Sequence, residues 1–262
     1  MKQLFLSHIH EEKELALLIK QAIEDEFSGF VDVFVSSDGI SIPAGANFLK
    51  RIEDGLVESI GVMYLISPKS VNRNWINFEL GAMWIRNAIS IRSEENEIPT
   101  LPLCHSGMDL QQLPKPIDNL NAIIANQASQ LEFAFRSIQN AVGGKGSLRT
   151  NFDELAGNIA KFERQYTLIS NVNLALKLVN LDNSQFKEYC LAQRPGELIS
   201  LELGCIPSDI LKKVKALEAE LIGHVSLQID TVRGLAYNHK TGETGQNASI
   251  TVNREVVLET LA

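Results

Sequence analysis

The sequence predicts an α/β fold: a five-stranded parallel sheet with helices on both faces over residues 1–166, then a smaller α+β module over residues 167–262. Three observations carry this expectation. Strand-like and helix-like segments alternate five times in the first part, which is the signature of a doubly wound parallel sheet. Residues 60–66 are apolar on both faces and rich in branched side chains, as a strand buried inside such a sheet must be. Beyond about Leu168 the alternation stops.

In chain order, residues 3–6 make a first strand that ends at Ser7 and His8. Residues 11–27 carry Leu15, Leu18, Ile19, Ala22, Ile23 and Phe27 at helical spacing behind a start rich in acids. Residues 31–35 are a second strand, and residues 36–45 a loop with turn formers at both ends. Phe48, Leu49, Ile52 and Leu56 mark the next helix, and residues 60–66 the third strand, closed by Ser67 and Pro68. Asn74 is placed to cap the following helix. On that helix Trp75 and Glu79 are four apart and share a face. Residues 97–103 form a fourth strand whose two prolines place it near an edge. Residues 121–125 form a fifth strand, and helical spacing returns over 130–142 and 152–166.

Five strands of this kind commonly wind in the order 2-1-3-4-5, with a crevice where strands one and three diverge at their carboxyl ends. That rule selects Ser7 and His8 after strand one and Ser67 after strand three. Trp75 and Glu79 lie just beyond, and the loop after strand two overhangs them. Taken alone, the helix allows a blander reading: Trp75 in the core and Glu79 a solvated first-turn acid favoured by the helix dipole.

Composition excludes other classes. A formal charge of -8 without a basic cluster argues against nucleic acid as a partner. Cys104, Cys190 and Cys205 are odd in number and far apart, which argues against a disulfide scaffold or a zinc site and suits a reducing interior. The opening apolar run is too short for a signal peptide, and no segment has the roughly 20 apolar residues that span a bilayer. The expectation is a cytoplasmic protein without a membrane partner. His8 and His10 have no acids or cysteines to complete a metal site. Residues 141–147 lack the glycine and Ser/Thr positions of a phosphate loop. Cys104 and His105, as neighbours on a strand, point to opposite faces and make a poor nucleophile–base pair.

Residues 2–166 resemble a Toll/interleukin-1 receptor (TIR) domain, a flavodoxin-like fold, and look most like its bacterial enzymatic branch. Leu4-Phe5-Leu6-Ser7-His8 resembles the family's first box. Asp38, Pro43 and Gly45 resemble the acidic and Pro-Gly positions of the loop after strand two, with Ala44 inserted. Ser67, Ser70, Trp75, Glu79 and Leu80 are similar to the Ser…Trp-Cys-x-x-Glu-Leu box, with Ile76 in place of the cysteine. The resemblance implies an NAD+ glycohydrolase, in some members a cyclase, that serves antiphage defence and immune signalling and is activated by assembly into a homo-oligomer. It implies Glu79 as the catalytic residue, Trp75 as the aromatic facing nicotinamide, and Ser7, His8, Asp38, Pro43, Gly45 and Ser67 around the substrate. NAD+ is then substrate, and no cofactor or metal is implied.

In the last hundred residues Leu174, Leu178 and Leu181 suggest a helix, residues 185–193 another, and Pro207-Ser208-Asp209 starts a third. Residues 224–232 and 249–257 read as strands joined by a polar turn. Such a module suits sensing of an activating ligand or partner, or holding protomers together. Two other function classes remain open at this point: a scaffold that recruits other TIR domains, and a transferase acting on nucleoside N-glycosidic bonds.

Overall fold

The computed structural model describes residues 2–35, 48–94, 96–218, 220–221, 223–230, 235–238 and 243–261. The chain divides into two compact units, Met1–Glu163 and Arg164–Ala262.

The first unit is built on five parallel strands, β1 (Lys2–Ser7), β2 (Val31–Val35), β3 (Ser59–Ile66), β4 (Thr100–Cys104) and β5 (Ile123–Ile124), in the order β2-β1-β3-β4-β5. The order matches the one expected from the alternation. β4, which contains Pro102, lies one strand in from the edge, and the two-residue β5 pairs only with Leu103 and Cys104 beyond it. One face is covered by α1 (Lys13–Glu26), α4 (Ala128–Ala141) and the start of α5 (Phe152–Leu178), with Leu4, Leu6, Leu15, Ile19, Leu65, Phe135 and Ile159 in its core. The other face is covered by α2 (Phe48–Glu58) and α3 (Asn74–Arg92), over Phe5, Val62, Tyr64, Ile66 and Met83. Successive side chains of β1 and β3 therefore enter opposite cores, which is why both strands read as unbroken apolar runs.

Two local expectations differ from the structure. A 3-10 turn over His10–Glu12 precedes α1, so the chain leaves β1 in a tight turn before the helix starts. Arg73, not Asn74, is the N-cap of α3, and its side chain makes no capping bond.

The helices read separately over 152–166 and around Leu174 are one 27-residue helix, α5, with no proline to break it, and the second unit begins within it. After α6 (Ser184–Ala192) come β6 (Leu198–Pro207), α7 (Ser208–Leu217), β7 (Val225–Ile229), β8 (Leu235–Asn238), β9 (Glu243–Asn253) and α8 (Arg254–Thr260). The strands form an antiparallel sheet in which β9 pairs with β6, β7 and β8. The sequence reading missed β6, although Ile199, Leu201 and Leu203 alternate. It also carried the last strand too far. Asn253 ends β9 and caps α8, its side chain accepting the Val256 N–H. At Gly245 a Cβ would stand 2.1 Å from the Ile206 carbonyl oxygen, so only glycine lets β6 and β9 approach there.

Candidate active site

The carboxyl ends of β1 and β3 and the first turns of α3 meet at one place, the switch point of the sheet. Ser7 is the last residue of β1, and Glu79 sits in the second turn of α3. The Ser7 hydroxyl donates a short hydrogen bond to Glu79 Oε2. The Trp75 indole N–H donates to the same carboxyl from one turn earlier. Glu79 is only 1% exposed. Burial pushes its pKa from 4.5 up to about 7, with the Ser7 and Trp75 bonds pulling the other way.

Trp75 is 40% exposed and stacks on Phe78, ring centroids 5.2 Å apart. The bland reading of this helix is thus inverted: the acid is inside and the aromatic is outside. An accessible indole joined to a buried carboxyl offers a flat ring one face to stack on, beside a group poised near neutrality.

A second buried polar cluster ties the same strand ends together. Glu12 is fully buried and accepts the Ser67 hydroxyl (2.7 Å) and the Ile9 N–H (3.2 Å). His105 Nε2, just past β4, lies 3.2 Å from Glu12 Oε1, and its Nδ1 is 3.0 Å from the Ser106 hydroxyl. Ser70 Oγ accepts the Ser67 N–H at 2.8 Å. Glu163 accepts the Ser106 N–H (3.0 Å) and an Asn126 side-chain N–H (2.5 Å), tying the loops after β4 and β5 to α5. One carboxylate, Glu12, thereby fixes where β1, β3 and β4 release the chain.

Of the residues singled out in the sequence, Ser7, Trp75 and Glu79 come together. His8 is half-buried at the end of β1. Ser67 is buried, and its hydroxyl belongs to the Glu12 cluster rather than to the Glu79 group. Asp38, Pro43 and Gly45 lie outside the described residues. Sequence reasoning missed Glu12 and Tyr64, since nothing in a helix-start acid or a strand tyrosine announces burial beside a site. It assigned Cys104 to the core, and burial does push that thiol up to about 12, far from a nucleophile's range. A cleft of about 910 Å³ between α3 and α4 opens at the opposite end of the sheet and includes none of Ser7, Trp75 and Glu79.

A doubly wound sheet with a polar group at its switch point is a ligand-binding α/β architecture. A family model described as TIR domain matches residues 4–135, half of the chain, and this chain belongs to the TIR-domain family. Among solved structures it is similar to a metazoan TIR-STING receptor from C. gigas in complex with 2',3'-cGAMP. That likeness has 12% identity and a TM-score of 0.36, over 98% of this chain and 75% of that one. No curated protein matches the sequence. Among the described residues, no helix is long and apolar enough to cross a membrane.

Proposed function

We propose that this chain is an NAD+ glycohydrolase, with Glu79 as the catalytic carboxylate and Trp75 as the platform for nicotinamide. The observation that supports this reading is the buried Glu79 carboxyl joined to a half-exposed indole at the switch point. Ordinary glycosidases need a second carboxyl group to protonate the leaving alcohol. The nicotinamide of NAD+ departs as a neutral base when its bond to ribose breaks, taking the bonding pair and no proton. What remains is a ribosyl cation, which water captures with loss of a proton to give ADP-ribose. A single fixed carboxylate suffices to stabilise that cation, an effect typically worth about 3–4 kcal/mol. Stacking on Trp75 adds roughly 1–3 kcal/mol, by analogy with bases on aromatic side chains.

The ionised carboxylate is the active form, so activity has a defined pH dependence. With a pKa of about 7, kcat/KM for NAD+ rises roughly tenfold per pH unit below neutrality and levels off above it. Nicotinamide release followed across pH checks this, and a flat profile through neutrality contradicts it.

Assembly is the second part of the reading. On α3, Phe78, Ala82, Ile85 and Ile89 are exposed at alternating spacings of four and three residues, which makes one apolar stripe. A helix apolar on its solvent face as well as its core face needs a further partner, and the proposed partner is a second TIR domain. Ile85→Asp is expected to keep the protein monomeric at concentrations where the parent assembles, as read by sedimentation. Its unfolding free energy should shift by no more than about 0.5 kcal/mol. The same stripe favours the scaffold as the alternative function. Nicotinamide release by the concentrated protein supports the enzyme, free base from deoxynucleosides the transferase, and silence in both assays the scaffold.

A further inference from the structure

Tyr64 has no evident reason to be a tyrosine. It pairs with Ser7 across β1 and β3, so both side chains leave the sheet on the face covered by α3. Its ring is 1% exposed and packs in that core, where phenylalanine would serve as well. Its hydroxyl is buried and has no hydrogen-bond partner among the described residues. Buried hydroxyls are nearly always bonded, so a lone one calls for a partner, and a bond made in another state of the protein supplies one. The phenol is also close enough to Glu79 to feel its charge, which, after burial, raises the Tyr64 pKa further.

The groups that face Glu79 are Ser7 from β1, Tyr64 from β3 and Trp75 on α3 itself. An ionised carboxylate has about four acceptor positions, and Ser7 and Trp75 fill two. The terminal torsion of a glutamate is soft, so its oxygens can turn without moving the helix.

We propose that Tyr64 is a positioning residue whose hydroxyl is the third donor to Glu79, engaged when that carboxyl is ionised, and that it holds the carboxylate facing the ribosyl cation. The orientation role rests on the glycohydrolase reading; the Tyr64–Glu79 bond does not.

The test uses the full chain with Trp84→Phe, which leaves Trp75 as the only indole of the two. Trp84 is exposed on α3, away from Glu79. Because the Trp75 N–H bonds to Glu79, indole emission reports that carboxyl's protonation. Titrated from about pH 5 to about pH 9, Trp84→Phe should show a midpoint at or below about 7, the value that burial sets against the Ser7 and Trp75 bonds alone. Adding Tyr64→Phe should move the midpoint up by about one to two pH units, the loss of one bond to a charged acceptor. At pH 7 kcat for NAD+ should fall about tenfold with KM little changed, and it should recover toward the parent value at high pH. At about pH 5, where Glu79 is protonated and the hydroxyl unbonded, thermal melting should be unchanged or slightly raised. An unmoved midpoint, or a Trp75 emission that does not titrate in this range, overturns the proposal. A shifted midpoint in a protein that releases no nicotinamide supports the bond and overturns the glycohydrolase reading instead.

Discussion

Glu79→Gln is expected to keep the fold, lose at least about a hundredfold in NAD+ cleavage, and become more stable than the parent as pH rises. The activity term follows from geometry. The amide matches the carboxyl in shape and its one oxygen can still accept from Ser7 or Trp75, but it offers no negative charge to a ribosyl cation. The stability term follows from linkage. The folded protein holds the Glu79 proton up to about pH 7, whereas the unfolded chain releases it near 4.5. Below about pH 4.5 the group is protonated in both states and costs nothing. As pH rises through 7, folding must keep a buried charge, and stability is lost. The difference of about 2.5 pKa units amounts to roughly 3 kcal/mol at pH 8, as an order of magnitude. Unfolding of both proteins measured at about pH 5 and about pH 8 should show the gap between them widening by that amount. Parallel stability curves would mean that the carboxyl titrates like a solvated one, and near-normal turnover would remove Glu79 from the chemistry.

Glu12→Ala is expected to cost the first unit about 3 kcal/mol, although Glu12 touches neither Trp75 nor Glu79 through any bond described above. Its removal leaves the Ile9 N–H facing a void in a fully buried place and takes one bond each from the Ser67 hydroxyl, which keeps Ser70, and the His105 ring, which keeps Ser106. Each buried donor left without a partner costs roughly 1–3 kcal/mol, partly offset where water enters. Because Ile9 is two residues past Ser7, the loss also loosens the turn that aims Ser7 at Glu79. The expected reading is a melting transition lowered by roughly 6–12 °C, with cleavage of NAD+ reduced by less than in Glu79→Gln. A change within about 0.5 kcal/mol would show that Glu12 is dispensable to the turn.

The parts legible in the sequence and the parts hidden from it have different physical origins. The first unit was readable because both faces of its strands are buried, which leaves short apolar runs rich in branched residues and bounded by turn formers. The second unit was less so. Its strand β6 has one face in solvent, and Val256 and Val257, which look like strand residues, were pulled into α8 by the Asn253 cap. The Trp75–Glu79 pair could be found from spacing alone, since four residues on a helix always share a face. Its environment could not.

Local sequence alone determined the order of the strands, the crevice between the first and third, and the neighbourhood of an indole and an acid on one helix. These depend on periodicity and on turn chemistry, which act over a few residues. Only the tertiary structure decided that Glu79 is inside and Trp75 outside, that Glu12 is a buried tie rather than a solvated acid, and which side of α3 faces the sheet. Desolvation of a charge is set by whatever closes over it. Here that was Ser7, 72 positions from Glu79, and Ser67, 55 positions from Glu12. The helix α3 is apolar on its solvent face as well as its core face, so its pattern did not say which of the two would be covered.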